Sequence, residues 1–278
     1  MRRTVLLLTV MTACLVMASG VALAVTKIGT NGPDTLRGTN GNDNLIGKGG
    51  DDDLFALGGR DHLVGGPGKD NVLATDEEGR PARGDKTLVG GPGNDGVTGG
   101  LGSNTVLGGS DNDFVYGDAG SDTLVAGGDG RDIVDGWTGS DRMLGGGGGD
   151  LIVDGELDEA SRDDVLLGGD GNDILIANHV PAVKDFVWCG GGFDRVLADR
   201  KDVVAADCEK VLVLRGSEEE VLEQEDAFFE SLPPAYGEYF ETFDVQLAPF
   251  PEASRTATSP ATQGEPASHL SAGGHRLG

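Results

Sequence analysis

The chain has 278 residues and a formal net charge of −26 at pH 7. Such acidity argues against nucleic acid and anionic membrane surfaces as partners, and for cations. Aromatic residues make up only 5% of a chain that carries 49 glycines, so an ordinary globular core is not expected.

The N-terminus reads Met1-Arg2-Arg3, then an apolar run from Thr4 to Val16, then Ala22-Leu23-Ala24. A charged start, an apolar middle and a small-x-small site predict a secretory signal peptide over 1–24. Cleavage after Ala24 would remove two positive charges and leave −28. The alternatives are a membrane anchor or lipid attachment at Cys14, although the apolar run continues past that cysteine. The chain is therefore expected to be secreted and extracellular, with association to a cell surface as a variant of the same reading.

From about Asn31 to residue 205 one nine-residue phrase recurs: Gly-Gly-x-Gly-x-Asp-x-apolar-x. Clear instances run from Gly65 to Leu73, Gly90 to Thr98, Gly127 to Asp135 and Gly168 to Ile176. The sixth position is held by Asp34, Asp43, Asp52, Asp61, Asp70, Lys86, Asp95, Asn104, Asp113, Asp122, Asp132, Asp141, Asp150, Asp164, Asp173, Asp185, Asp194 and Asp202. Two places later every residue is apolar, from Leu36 and Leu45 through Leu124 and Met143 to Val204. Disordered glycine tracts have no reason to keep that register.

Each unit splits into a glycine-rich turn and a short x-apolar-x strand. The fourth position is mostly glycine, as expected where the backbone needs positive φ or approach without a Cβ. One such strand buries nothing alone, but stacked strands form ladders and align their apolar residues inside. Two units per turn would give two sheets and two rows of turns, with eighteen units making about nine turns, roughly 40 Å long at the strand spacing.

Unit n then stacks on unit n+2. One row holds Asp34, Asp52, Asp70, Asp95, Asp113, Asp132, Asp150, Asp173 and Asp194. The other holds Asp43, Asp61, Lys86, Asn104, Asp122, Asp141, Asp164, Asp185 and Asp202. Breaks in the register are placed at Asp76 to Pro81, at Ala126 as a single extra residue, at Asp154 to Asp158 and at Ala177 to His179. Inserts in a solenoid map to surface loops.

The phrase resembles the haemolysin-type, or RTX, calcium-binding nonapeptide over about residues 30–205. The resemblance implies an all-β fold, the parallel β-roll or right-handed β-solenoid, and Ca2+ as the ion. Calcium takes six to eight oxygens from carboxylates, carbonyls and water. The expected ligands are Asp34, Asp43, Asp52, Asp61, Asp70, Asp95, Asp113, Asp122, Asp132, Asp141, Asp150, Asp164, Asp173, Asp185 and Asp194, with the turns supplying carbonyls. The Lys86 ammonium is expected to replace an ion between Asp61 and Asn104. Asp also favours turns without any metal, but stacked carboxylates then need another cation. Without calcium the repeats should be largely unfolded, and ion binding becomes folding free energy. RTX proteins are often exported by a one-step system with a C-terminal signal, from which an N-terminal signal peptide departs.

Cys189 and Cys208 lie nineteen residues apart, about one coil turn. Stacked neighbours suit a disulfide, and an exported chain favours one. The roll with its disulfide-stapled cap is placed at 25–213. An acidic segment follows at 214–250, with a short helix predicted from Ser217 and an apolar face of Val221, Leu222, Phe228, Phe229 and Leu232. Residues 251–278 are rich in Pro, Ala, Ser, Thr and Gly and are expected to be disordered.

No catalytic domain is expected: neither a His-Glu-x-x-His nor a Gly-x-Ser-x-Gly motif occurs. His62, His179, His269 and His275 read as scattered, Arg83-Gly84-Asp85 as a chance tripeptide, and Trp137 and Trp188 as packing residues with an outward, partner-facing reading as the alternative. The leading reading is a secreted, non-enzymatic calcium-binding protein. A surface adhesion or matrix protein, with a cell-surface protein or glycan as partner, is the first alternative. A polysaccharide-acting enzyme with its site near Glu77-Glu78 or Glu156 is the second.

Overall fold

The computed structural model describes residues 23–75, 79–155, 162–179, 182–215 and 218–232. Most of the predicted signal peptide, Glu77-Glu78, Glu156, Ser217 and the tail with His269 and His275 lie outside the described residues. So do the side chains of Val221 and Leu222.

Twenty short strands run from β1 (Thr26–Ile28) to β20 (Lys210–Val213). Odd-numbered strands form one ten-stranded sheet and even-numbered strands the other. Every strand pairs with the strand two ahead, in parallel. The result is an all-β parallel β-solenoid of about ten turns. The two strands beyond the eighteen sequence units are β1 and β20, which flank the array.

The apolar residue of each strand points between the sheets. Leu45, Leu54, Leu63, Val72, Leu88, Val97, Val106 and Val115 are all 0–1% exposed and belong to one continuous core. The two flanking residues of each strand face outward, so the core is one side chain deep per strand. A unit short of neighbours therefore has no core of its own.

One register assignment is corrected. In β11 (Leu124–Gly130), Val125 pairs with Val106 and with Met143, and Val125 is fully buried while Leu124 is only half-buried. The extra residue of this unit is therefore Thr123, ahead of the strand, and not Ala126. Both Leu and Val satisfy an apolar pattern, so the pattern alone could not choose. Absorbing the spare residue in the turn keeps the following Gly128 in register with Gly109 and Gly146.

At the C-terminal end Cys189 and Cys208 form a disulfide with Cα atoms 5.2 Å apart. Closing a loop of that length contributes about 3 kcal/mol in the chain-entropy account. Helix α1 (Glu218–Glu230) follows. Its Phe228 joins a second buried cluster with Ile133, Leu151, Ile174, Leu197 and Leu214, on the outward face of the even-numbered sheet. Phe229 is 38% exposed, so the predicted apolar face of this helix is only partly buried. Among the described residues no helix is long and apolar enough to cross a membrane.

The register gives a direct check. Val125→Ala should lose about 1.5–3 kcal/mol, the value of a fully buried Val side chain, and Leu124→Ala clearly less. Denaturant unfolding of both variants in calcium measures this; a larger loss at Leu124 would restore the register read from sequence.

Candidate metal centre

The sixth residue of each unit is the last of the turn, immediately before a strand. Strand pairing fixes its backbone, so its carboxylate is placed with little freedom. In each case one oxygen, Oδ1, accepts the backbone N–H of the sixth residue one coil turn earlier. Asp52 accepts from Asp34 at 2.7 Å, Asp70 from Asp52 at 2.8 Å, Asp95 from Asp70 at 2.8 Å and Asp113 from Asp95 at 2.8 Å. The ladder continues through Asp132, Asp150, Asp173 and Asp194. It closes on Glu209, whose Oε2 accepts from Asp194 at 2.9 Å. The second row runs Asp43 to Asp61, then Lys86 to Asn104, Asp122, Asp141, Asp164, Asp185 and Asp202. The two rows inferred from spacing are thus two ladders, the first continuous and the second interrupted between Asp61 and Lys86, whose ammonium cannot accept, and the insert after Asp76 adds no turn to either. The sequence missed two rungs. Glu209 occupies the sixth position of the last turn, and the Val25 N–H donates to Asp43.

The other oxygen, Oδ2, faces into the turn. For Asp52, Asp61, Asp70, Asp95, Asp113, Asp122, Asp132, Asp141, Asp150, Asp173, Asp185 and Asp194 it is buried and receives no hydrogen bond. An unpaired buried carboxylate oxygen is costly. The glycines leave it room: a Cβ at Gly90 would run into Asp95 Oδ2, and one at Gly68, where φ is +155°, would overlap the Gly50 carbonyl of the previous turn.

Two units lack the carboxylate and show what it faces. Lys86 is 3% exposed, and its Nζ donates to the carbonyls of Gly84 at 3.0 Å and Ala82 at 3.4 Å. Asn104 Nδ2 donates to the Gly100 carbonyl at 3.0 Å. These acceptors are the second and fourth residues of the turn. In an aspartate unit the same position carries a carboxylate, which has no proton to give those carbonyls. Each such turn therefore gathers carbonyl and carboxylate oxygens around a point that wants positive charge. Lys86 supplies its own, which fits the expected substitution. Burial lowers its pKa, opposed by the charges of Asp61 and Asp85.

Asp34 and Asp43 differ from the rest. The Thr30 amide and hydroxyl donate to Asp34 Oδ2 at 2.5 and 2.9 Å, and Thr39 does the same for Asp43 at 2.5 and 3.1 Å. The Thr30 hydrogen bonds hold the half-buried Asp34 below the usual carboxylate range. Further along, burial raises the carboxyls, partly offset by the ladder N–H. Asp61, Asp70, Asp95 and Asp132 rise to about 6. Asp122, Asp150 and Asp173 rise to about 7, and Asp113 and Asp141 to about 8, with neighbouring aspartates adding to the burial of the last two.

Near the end of the second row a different group assembles. Asp154, His179 and Asp185 are buried, and one potential ligand atom from each lies within 4.8 Å of the others. The structure thus brings His179, scattered in the sequence, into a cluster. The available signal was that two successive inserts in one row carry an aspartate and a histidine. Of the remaining candidates, His62 is exposed and Trp188 is 41% exposed, stacked on Phe186. Asp85 of the Arg83-Gly84-Asp85 tripeptide pairs with Arg60 at 3.1 Å, and Arg83 bridges Leu101 in the ladder.

The raised pKa values set a pH dependence for the ion-free roll. A group whose folded pKa lies above its unfolded value stabilises the fold fully below the unfolded pKa, and that contribution is lost as pH rises through the folded one. In chelator, β-structure should therefore persist near pH 4 and fade between about pH 4 and pH 8. Circular dichroism in chelator across this range checks the sign; a roll that gains structure toward pH 8 without any divalent ion would contradict the burial of these carboxylates.

A family model described as the RTX calcium-binding nonapeptide repeat matches residues 28–63, 46–76, 89–124, 124–152 and 160–178. No curated protein matches the chain. The matched segments hold most of the turns and strands that build the two ladders, so the chain carries RTX haemolysin-type calcium-binding nonapeptide repeats, wound as a parallel β-solenoid.

Proposed function

We propose that this chain is a secreted, non-enzymatic calcium-binding protein whose roll folds when calcium occupies its turns. The observation that carries the reading is the contrast between Lys86 and the aspartates. Where an ammonium is present it takes the two turn carbonyls; where aspartate is present, Oδ2 is buried and unpaired. A divalent cation supplies the missing charge. Oxygen-only donors suit calcium, which accepts irregular shells of carboxylates, carbonyls and water.

The residues that would hold it are Asp52, Asp70, Asp95, Asp113, Asp132, Asp150, Asp173 and Asp194 in the first row, with the carbonyls of their turns. Asp61, Asp122, Asp141 and Asp164 serve in the second; Asp185, also expected as a ligand, turns its Oδ2 to His179 instead. Asp34 and Asp43 contribute less, because threonine already satisfies their inward oxygens. Extracellular calcium modules bind at about 10⁻⁴ to 10⁻³ M, so the chain would stay loose at cytosolic calcium and fold outside the cell. RTX repeat proteins are usually secreted, and the disulfide fits an oxidising compartment. The adhesion reading keeps one supporting feature, the exposed Trp188 stacked on Phe186.

The test is a calcium titration of the oxidised chain followed by circular dichroism, with magnesium as control. A cooperative gain of β signal with calcium alone is expected. Asp132→Asn should raise the calcium midpoint severalfold, and Asp34→Asn should barely move it. Full β signal in chelator at neutral pH, or equal effects of the two substitutions, would overturn the reading.

A further inference from the structure

The group formed by Asp154, His179 and Asp185 joins two insert residues to one rung of the second row, whose Oδ1 serves the ladder while its Oδ2 faces His179. Asp154 directly follows β14 (Leu151–Val153), and its N–H donates to Ile176 at 3.0 Å. His179 lies two residues past β16 (Ile174–Ala177), the sheet neighbour of β14. Asp185 directly precedes β17 (Phe186–Gly192). Three strand ends thus hold the three side chains on rigid backbone, at the inserts of the second row.

All three are nearly inaccessible: Asp154 is 2% exposed, His179 4% and Asp185 0%. His179 Nε2 lies 3.8 Å from Asp154 Oδ1, and Nδ1 lies 3.5 Å from Asp185 Oδ2. Neither ring nitrogen makes a hydrogen bond, nor does either oxygen of Asp154, nor Asp185 Oδ2. Five buried polar atoms aimed at one another without proper partners are a large uncompensated cost. The contact distances are too long for hydrogen bonds and leave space for a shared ligand between the groups.

The donor chemistry decides which ligand. The repeat turns offer oxygen only, as calcium requires. This group offers an imidazole nitrogen with two carboxylates. Imidazole suits zinc and its transition-metal neighbours, and a mixed nitrogen and carboxylate set is unlike a calcium shell.

We propose that Asp154, His179 and Asp185 form a separate site for one transition-metal dication of the zinc class. It differs in chemistry from the calcium rows and does not depend on them being occupied. Three protein donors leave a coordination position for water. The ion ties the two inserts to the strand that follows, stiffening the second row where its turns lack glycine.

The experiment uses the full oxidised chain in millimolar calcium, which saturates the oxygen sites. His62→Ala, His269→Ala and His275→Ala are combined in one background, so that His179 is the remaining imidazole. After equilibration with zinc and exhaustive dialysis against calcium buffer, metal analysis should find one zinc per chain. Cobalt in its place should give a visible d–d spectrum. Adding His179→Ala or Asp154→Asn should abolish both signals, with calcium-dependent circular dichroism reporting that the roll still forms. Should those variants fail to fold, nitrogen NMR of the His179 ring in the parent background decides: zinc must shift one ring nitrogen to a metal-bound value. No retained zinc, equal retention in a folded His179→Ala variant, or a ring that stays an imidazolium in excess zinc would overturn the proposal.

Discussion

All but two of the repeat turns are organised around a carboxylate whose two oxygens have different work. Oδ1 closes a hydrogen bond to the turn before, and Oδ2 faces the carbonyls of its own turn. The first function is structural and needs no ion. Beyond Asp34 and Asp43, where threonine donates, the second is not met by the protein, because neither a carbonyl nor a carboxylate donates a proton. Parallel pairing holds successive strands about 4.8 Å apart, and the carboxylates must follow. A core one apolar side chain deep has little surplus to offset that repulsion. The same residue that registers the coil therefore makes it dependent on positive charge, delivered as protons, as a lysine or as metal.

The two rows of turns use this constraint differently. The first row is uniform from Asp34 to Asp194 and closes on Glu209. All departures fall in the second row: Lys86, Asn104, the spare Thr123, and the inserts ahead of Lys86, Asp164 and Asp185. The long sequence separations in the first-row ladder, such as 25 residues between Asp70 and Asp95, come from insertions on the opposite side. A solenoid tolerates this because each coil turn contacts only its neighbours. One edge stays a regular oxygen array while the other varies its chemistry, with an ammonium at one level and an imidazole at another.

Much of this was legible in the sequence. A nine-residue period with an apolar eighth position leaves one way to stack, and from it the two rows, their members and the Cys189–Cys208 pairing follow. What escaped was whatever the period treats as equivalent. Leu124 and Val125 are both apolar, and only their cross-strand partners show which is inward. Glu209 closes the ladder as well as an aspartate, but its unit has lost the glycines that announce a turn. Thr30 and Thr39 look like ordinary second-position residues until their hydroxyls are seen on Asp34 and Asp43. His179 sits in an insert, where the register has no power to place a side chain. The outward cluster had a visible sign: the seventh position changes from Thr35, Asp53 and Asn71 to Ile133, Leu151 and Ile174. That change marks an outer face that is covered.

The reinforcement is also graded along the axis. At the N-terminal end β1 is exposed, with Ile28 57% accessible, and the first carboxylates are satisfied by threonine without an ion. At the C-terminal end a disulfide, a second apolar cluster and Phe228 of the helix hold the last turns together. In a one-dimensional stack each turn is stabilised by the turn already in place beside it. An end held covalently and by apolar packing keeps its turns aligned while the carboxylates are still charged. The middle of the roll, where burial and neighbouring aspartates raise Asp113 and Asp141 furthest among the regular rungs, has no disulfide and only the start of the apolar cluster on one sheet. It is there that the fold depends most on what enters the turns.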